Sequence, residues 1–220
     1  MIRLYLGRKE QGKTTLAYYM AAKVPRRLIF DPRGLIRRPG AAVARTAAQL
    51  AAGVAALGDR EISEVVYTPR EAFKGIAFPA FAAEVRAWVD ESPGAPLAVL
   101  VDEISFVSIL DGDFEWALKA CKAEQIHFFL TCHRPADVPV DVRSIADYWY
   151  IFPTTQEHDL EVLRERSPAA AARVEQLRDR QYVCWDDRTS ALTLGAPASE
   201  WYVDLHRGGT IDLDSSTETA

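Results

Sequence analysis

The chain has 220 residues, 49% of them hydrophobic and 26% charged, enough for one sizeable α/β domain with a buried core. Its net charge of −5 excludes a general attraction to nucleic acid, so any DNA contact must come from a local basic face. No run approaches the ~18 uninterrupted apolar residues of a membrane span, and the amino end lacks the regions of a signal peptide, so the expectation is a protein that is not secreted.

In chain order, Ile2–Leu6 reads as a buried strand and Lys13–Lys23 as a helix. Arg27–Phe30 is a second strand, stopped by the turn signal Asp31-Pro32-Arg33-Gly34. The alanine-rich stretch Ala41–Leu57 predicts a helix and Glu64–Tyr67 a third strand. Phe81, Val85, Trp88 and Val89 have helical spacing within Phe78–Asp90. Leu97–Val101 is an apolar run suited to a central parallel strand covered on both faces. Asp113–Lys122 reads as a helix, then Ile126–Leu130 and Tyr148–Phe152 as strands. Glu157–Glu165 and Pro168–Asp179 look helical, and residues 181–194 suggest a hairpin. Alternating strands and helices at βαβ spacing predict an α/β, three-layer fold: a mostly parallel central sheet with helices on both faces. Residues 1–205 read as a single domain, and 206–220 as a polar, acidic, disordered tail. Cys121, Cys132 and Cys184 are widely spaced, without metal-ligand spacing, and read as free thiols.

Gly7-Arg8-Lys9-Glu10-Gln11-Gly12-Lys13-Thr14 fits G-x-x-x-x-G-K-[ST] at every fixed position, between a predicted strand and a predicted helix. Such a loop curls its N–H groups inward into an anion nest, and the following helix adds the positive end of its dipole. Lys13 is expected to reach the β- and γ-phosphates, Thr14 to ligate Mg²⁺, and Thr15 to donate near the α-phosphate. The predicted ligand is a nucleoside triphosphate. No Asn-Lys-x-Asp guanine-reading motif is present, which favours ATP.

The apolar run 97–101 ends in Asp102 and Glu103, which places two carboxylates at the carboxyl end of a central strand, where open α/β sheets bind ligands. Asp102 is expected to hold the metal and Glu103 to orient or deprotonate the attacking water. After Ile126–Leu130 comes Thr131-Cys132-His133-Arg134-Pro135, on a strand expected beside the one carrying Asp102. That position brings Thr131 near the γ-phosphate, where it can bond the water or a phosphate oxygen. His133 can report nucleotide state to a neighbour. The segment 23–45 holds Lys23, Arg26, Arg27, Arg33, Arg37, Arg38 and Arg45 against one acid, Asp31. It reads as a DNA-backbone contact, an arginine finger for an adjacent subunit, or a solvated surface. Candidates for a trans-acting arginine are Arg33, Arg37, Arg38 and Arg143.

Together the phosphate loop, Asp31-Pro32-Arg33-Gly34, Val101-Asp102-Glu103, the Arg134-Pro135 segment and Asp137–Arg143 resemble the FtsK–HerA superfamily of DNA-pumping ATPases over roughly residues 1–165. The short chain is most similar to the small genome-packaging ATPases of membrane-containing icosahedral viruses. The family often carries Gln where Cys132 or His133 stands. The resemblance implies a homo-oligomeric ring, a hexamer, hydrolysing ATP at subunit interfaces and moving double-stranded DNA into a preformed capsid. It further implies capsid or membrane-vertex proteins as partners, in host cytoplasm or virion. Alternatives are a Zot-like phage assembly ATPase, a nucleotide-dependent regulatory switch and a small-molecule kinase.

Overall fold

The computed structural model describes residues 1–36, 38–69, 77–107, 112–196 and 211–212. Its apolar runs lie in a sheet whose two faces are both covered by helices. In β5 (Leu97–Val101) all five residues are buried: Leu97, Val99 and Val101 join one core, Ala98 and Leu100 the other. The same alternation holds in β1 (Ile2–Leu6), β2 (Arg27–Phe30) and β6 (Ile126–Cys132). The remaining strands are β3 (Ala42–Ala44), β4 (Glu64–Tyr67), β7 (Tyr148–Ile151), β8 (Tyr182–Asp186), β9 (Ala191–Gly195) and β10 (Ile211–Asp212). Among the described residues they form one sheet in the order β10-β3-β4-β2-β5-β6-β1-β7-β8-β9. Every neighbouring pair is parallel except β7–β8 and β8–β9, so the expected mostly parallel sheet is present, with the 181–194 hairpin antiparallel at one edge.

Helices cover both faces unequally. On one side α1 (Lys13–Ala21) packs Leu16, Ala17, Tyr18 and Ala21 against Tyr5, Ile29, Leu100 and Phe129. The other side takes α2 (Ala47–Gly58), α3 (Phe78–Glu91), α4 (Gly112–Ala120), α5 (Val140–Ile145), α6 (Glu157–Arg166) and α7 (Pro168–Val174). There the rings of Phe30, Phe78, Phe114 and Phe128 meet edge to face at centroid distances of 4.8–5.4 Å, locking α3 and α4 onto the sheet.

Some elements depart from the sequence reading. The stretch 41–57 is not one helix. Ala42–Ala44 pairs with Val65–Tyr67, and the helix begins only after Thr46, whose hydroxyl accepts from the Gln49 N–H while the Gln49 side chain accepts from the Thr46 N–H. That capping box outweighs the helix propensity of the upstream alanines. Val140–Ile145, given no element in the sequence reading, is helical, and α7 stops at Val174 rather than Asp179. Within the tail read as disordered, Ile211–Asp212 pairs with Ala42–Val43; the rest of 206–220 lies outside the described residues. No helix among the described residues is long and apolar enough to cross a membrane. The three cysteines are free thiols, Cys121 and Cys132 buried.

What matters for the site is the strand order. β6 lies between β5 and β1, and β2 flanks β5 on the other side. The carboxyl ends of these four parallel strands therefore bring the loops after Leu6, Phe30, Val101 and Cys132 to one edge.

Candidate nucleotide site

The loop from β1 to α1 owes its path to two glycines. Gly7 has φ 143°, and a Cβ there would lie 2.6 Å from Phe152 Cβ. Gly12 has φ 96° in open space, so only its backbone conformation demands glycine. The Gly7 N–H donates to the Cys132 carbonyl (3.3 Å), which ties the loop to β6. Gly12 caps α1 without a side chain and the first turn holds no acid, so the helix's leading N–H groups and positive dipole end face an anion site. Lys9, Glu10, Gly12, Lys13, Thr14, Thr15, Arg33, Leu35, Ile36, Asp102 and His133 line a cleft of about 330 Å³ there. Not every loop side chain points into it. Arg8 donates to Thr155 Oγ1. The Gln11 amide donates to Asp179 (2.9 Å) and accepts from the Arg180 N–H (3.0 Å). These two positions anchor the loop to the segments before α6 and after α7, leaving only their backbone for a ligand.

Lys13 and Asp102 share this cleft, as the spacing reading requires. Asp102 is buried at the end of β5, and both its oxygens are engaged. Oδ1 accepts from the Thr14 hydroxyl (2.8 Å) and the Thr131 hydroxyl (2.9 Å), and Oδ2 accepts from Arg33 Nη2 (2.6 Å). Glu103 follows in the left-handed region (φ 65°), uncommon for a residue with a side chain. The turn sends its carboxylate away from that of Asp102. Oε1 accepts from Ser105 Oγ (2.5 Å) and the His133 N–H (3.2 Å), and Oε2 lies 3.1 Å from His133 Nε2. The Glu103 side chain is 3% exposed and that of His133 28%, so the imidazole, not the carboxylate, fronts the cleft.

Thr131 lies beside Asp102 on the neighbouring strand, as expected, but with its hydroxyl committed to protein partners. Its one hydroxyl proton goes to Asp102, while its oxygen accepts the Glu103 N–H (2.9 Å) in a fully buried position. A hydroxyl with its single donor spent cannot also donate to a phosphate or water. Thr131 instead braces the two acidic residues against each other.

Lys13 Nζ donates to the Arg8 carbonyl (2.7 Å) and sits 3.1 Å from His133 Nδ1. An ammonium only donates, so Nδ1 accepts and the ring proton lies on Nε2, on the side of the ring nearer Glu103. This assigns a neutral ring. Burial pushes the His133 pKa down, Glu103 opposes it, and the cations Lys13, Arg33 and Lys9 reinforce it. Burial also brings Lys13 down to about 8 against the pull of Glu103 and Asp102, and raises the Cys132 thiol to about 12. Cys132 is accordingly an inert packing residue.

Ser105 and the same-chain place of Arg33 were missed by the sequence reading. Ser105 sits two residues past the acidic pair, within reach once Glu103 turns left-handed. Arg33 follows from strand order, β2 beside β5, which motif spacing does not contain. The basic segment 23–45 is largely satisfied within the chain. Arg26 bonds the Leu57 carbonyl, Arg27 pairs with Glu64 (2.7 Å), and Arg38 stacks over Tyr18 (4.8 Å). Arg143 lines a separate groove with Val140, Trp149 and Val162, and Arg37 lies outside the described residues.

A parallel sheet, a glycine-bounded nest at a helix amino end and a hydroxyl–carboxylate pair beside it define a P-loop nucleoside triphosphatase fold. No protein-family model and no curated protein sequence matches the chain. Solved structures do. The genome packaging NTPase B204 of Sulfolobus turreted icosahedral virus 2 in complex with AMPPCP superposes with TM-score 0.71 at 19% identity, covering 90% of this chain and 97% of that one. B204 of Sulfolobus turreted icosahedral virus, the DNA-packaging ATPase, gives 0.68 at 20%, covering 90% and 97%. The N-terminal domain of zonular occludens toxin from Neisseria meningitidis gives 0.50 at 14%, covering 91% and 96%. The chain thus shares its fold with these solved structures over about nine-tenths of its length.

Proposed function

We propose that this chain is an ATP-hydrolysing motor that translocates double-stranded DNA, packaging a viral genome into a preformed capsid. The observation that carries the reading is the meeting of Lys13, Thr14, Asp102 and His133, backed by Glu103, at one cleft, on a fold shared over nearly its whole length with packaging ATPases. The loop N–H groups from Gly7 to Thr15 and the Lys13 ammonium hold the phosphates, Lys13 exchanging its Arg8 and His133 contacts for phosphate oxygens.

Thr14 and Asp102 fit Mg²⁺. Both are hard oxygen donors, and the Thr14 hydroxyl spends its proton on Asp102, leaving its lone pairs for a cation. Bound there, the ion would neutralise phosphate charge. Glu103 takes the proton of the attacking water once the His133 ring turns from its path, and Ser105 and the His133 N–H hold its other oxygen. The resemblance supplies the ring, a hexamer, and the capsid or membrane-vertex partners in host cytoplasm or virion.

The deciding experiment measures ATP turnover with and without linear double-stranded DNA, alongside native mass. DNA-stimulated turnover by a closed oligomer is the expected result. Nucleotide binding without turnover would point instead to a regulatory switch. DNA-insensitive turnover would favour a Zot-like assembly ATPase, the reading that the zonular occludens toxin likeness keeps in play.

A further inference from the structure

We infer that Arg33 works in cis, as the cation that pins Asp102 and faces the phosphate cleft of its own chain across the His133 ring from Lys13, and that Asp31 is the positioning residue that seats it. The inference rests on the nucleotide reading above and adds a residue and its support to that site.

The backbone that carries Arg33 is held from several sides. Asp31 is fully buried at the end of β2 and donates its N–H to the Tyr67 carbonyl (3.0 Å). Its carboxylate accepts from the Arg33 N–H (3.2 Å) and the Ile36 N–H (2.6 Å), and its carbonyl accepts from Gly34 (3.2 Å). Gly34 sits at φ 65°, where an added Cβ would come 3.1 Å from Thr68 Cγ2. A turn so fixed can present one side chain in one direction.

That side chain goes inward. Arg33 Nη2 donates to Asp102 Oδ2 (2.6 Å), its side chain is 20% exposed, and Nη1 approaches His133 Nε2 at 3.4 Å. Both of those nitrogens are donors in the assigned tautomer, so this contact is proximity and not a bond. Arg33 Nε is buried with no hydrogen-bond partner, a donor still to be satisfied next to a site built for anions. Reaching into a neighbouring subunit would strip the buried Asp102 of its cation. The planar fork also explains arginine here: one nitrogen can stay on Asp102 while another meets a phosphate oxygen, which a lysine point charge cannot do.

The test is complementation. Chains carrying Arg33→Ala and chains carrying Lys13→Ala are co-expressed with different tags, and the mixed assembly is purified through both. Acting in cis, each chain has a broken site of its own, and turnover stays near that of the single variants, about 10²-fold below wild type. Acting in trans, roughly a quarter of the sites in a randomly mixed ring would regain both groups, and turnover at that level would overturn the inference. If the chain is monomeric, a tenfold or greater loss in Arg33→Ala alone supports the cis role, and retained turnover refutes it. Should Arg33→Ala fail to fold, Arg33→Gln takes its place.

For Asp31, Asp31→Asn is expected to lower turnover about 3–10-fold in the wild-type background and to have no further effect in Arg33→Ala. Equal losses in both backgrounds would make Asp31 merely structural. Wild-type turnover in Lys13→Ala alone would remove the nucleotide reading itself, an outcome separate from both.

Discussion

His133 stands between an ammonium and a carboxylate, its Nδ1 3.1 Å from Lys13 Nζ and its Nε2 3.1 Å from Glu103 Oε2. That arrangement places the imidazole, rather than the Glu103 carboxylate, at the cleft. Glu103→Gln replaces the acceptor oxygens with an amide that can no longer take a proton. It is expected to bind ATP as wild type does while turnover falls by about 10²-fold or more, read from single-turnover phosphate release beside a binding titration. Undiminished turnover would assign the water to another group. Asp31 offers a test in stability. Burial raises its carboxyl to about 6 against the help of the Ile36 and Arg33 N–H groups. Because the folded chain holds this proton more tightly than the unfolded one, whose aspartates titrate near ~3.9, stability is lost as pH rises from about 4 through about 6, by roughly 3 kcal/mol. Asp31→Asn has no proton to lose there. Urea midpoints taken across this window should shift in the variant's favour as pH rises, and parallel curves would contradict the account. At this scale, the loop residues and the acidic pair were readable from spacing alone. Ser105 and the bracing role of Thr131 were not, because both depend on the left-handed turn at Glu103 and on which strand lies beside which.

The loop between β1 and α1 shows how an element can demand glycine for two different reasons. Gly7→Ala meets Phe152 as well as an unfavourable φ, whereas Gly12→Ala meets only the latter. The left-handed backbone costs about 1–2 kcal/mol for a residue with a Cβ, and forced overpacking adds about 1–3 kcal/mol. Gly7→Ala should therefore lower the thermal midpoint clearly more than Gly12→Ala; equal shifts would mean the Phe152 contact gives way easily. The cap on α2 makes a similar point. Thr46→Ala is expected to cost about 1 kcal/mol by chemical denaturation, from lost hydrogen bonds at the helix entrance. Thr46 and Gln49 were a legible start signal, passed over because alanines before them favour helix as strongly as those after. The three-residue β3 was not legible, since Ala-Val-Ala becomes a strand only when β4 is there to pair with it.

Across the whole molecule, the sheet order does what no single motif can. It sets the ends of β2, β5, β6 and β1 side by side, so one edge gathers a nest, two carboxylates, an imidazole and an arginine. Alternation of strands with helices announced the parallel sheet, and the neighbour relation of β5 and β6 followed from chain order. The place of β2 next to β5 did not, and with it went the location of Arg33. The seven basic residues between 23 and 45 read as one face in the sequence, yet folding sends Arg26, Arg27, Arg33 and Arg38 to separate partners within the chain. Those four cations are therefore spread over separate contacts rather than gathered on one surface. On the proposed function, the cleft at the head of α1 holds and hydrolyses a triphosphate. Steady-state phosphate release from ATP and Mg²⁺, measured for wild type and for Lys13→Ala of equal thermal stability, tests it most directly. The account predicts turnover in the first and a loss of at least about 10²-fold in the second; equal rates in the two proteins would contradict it.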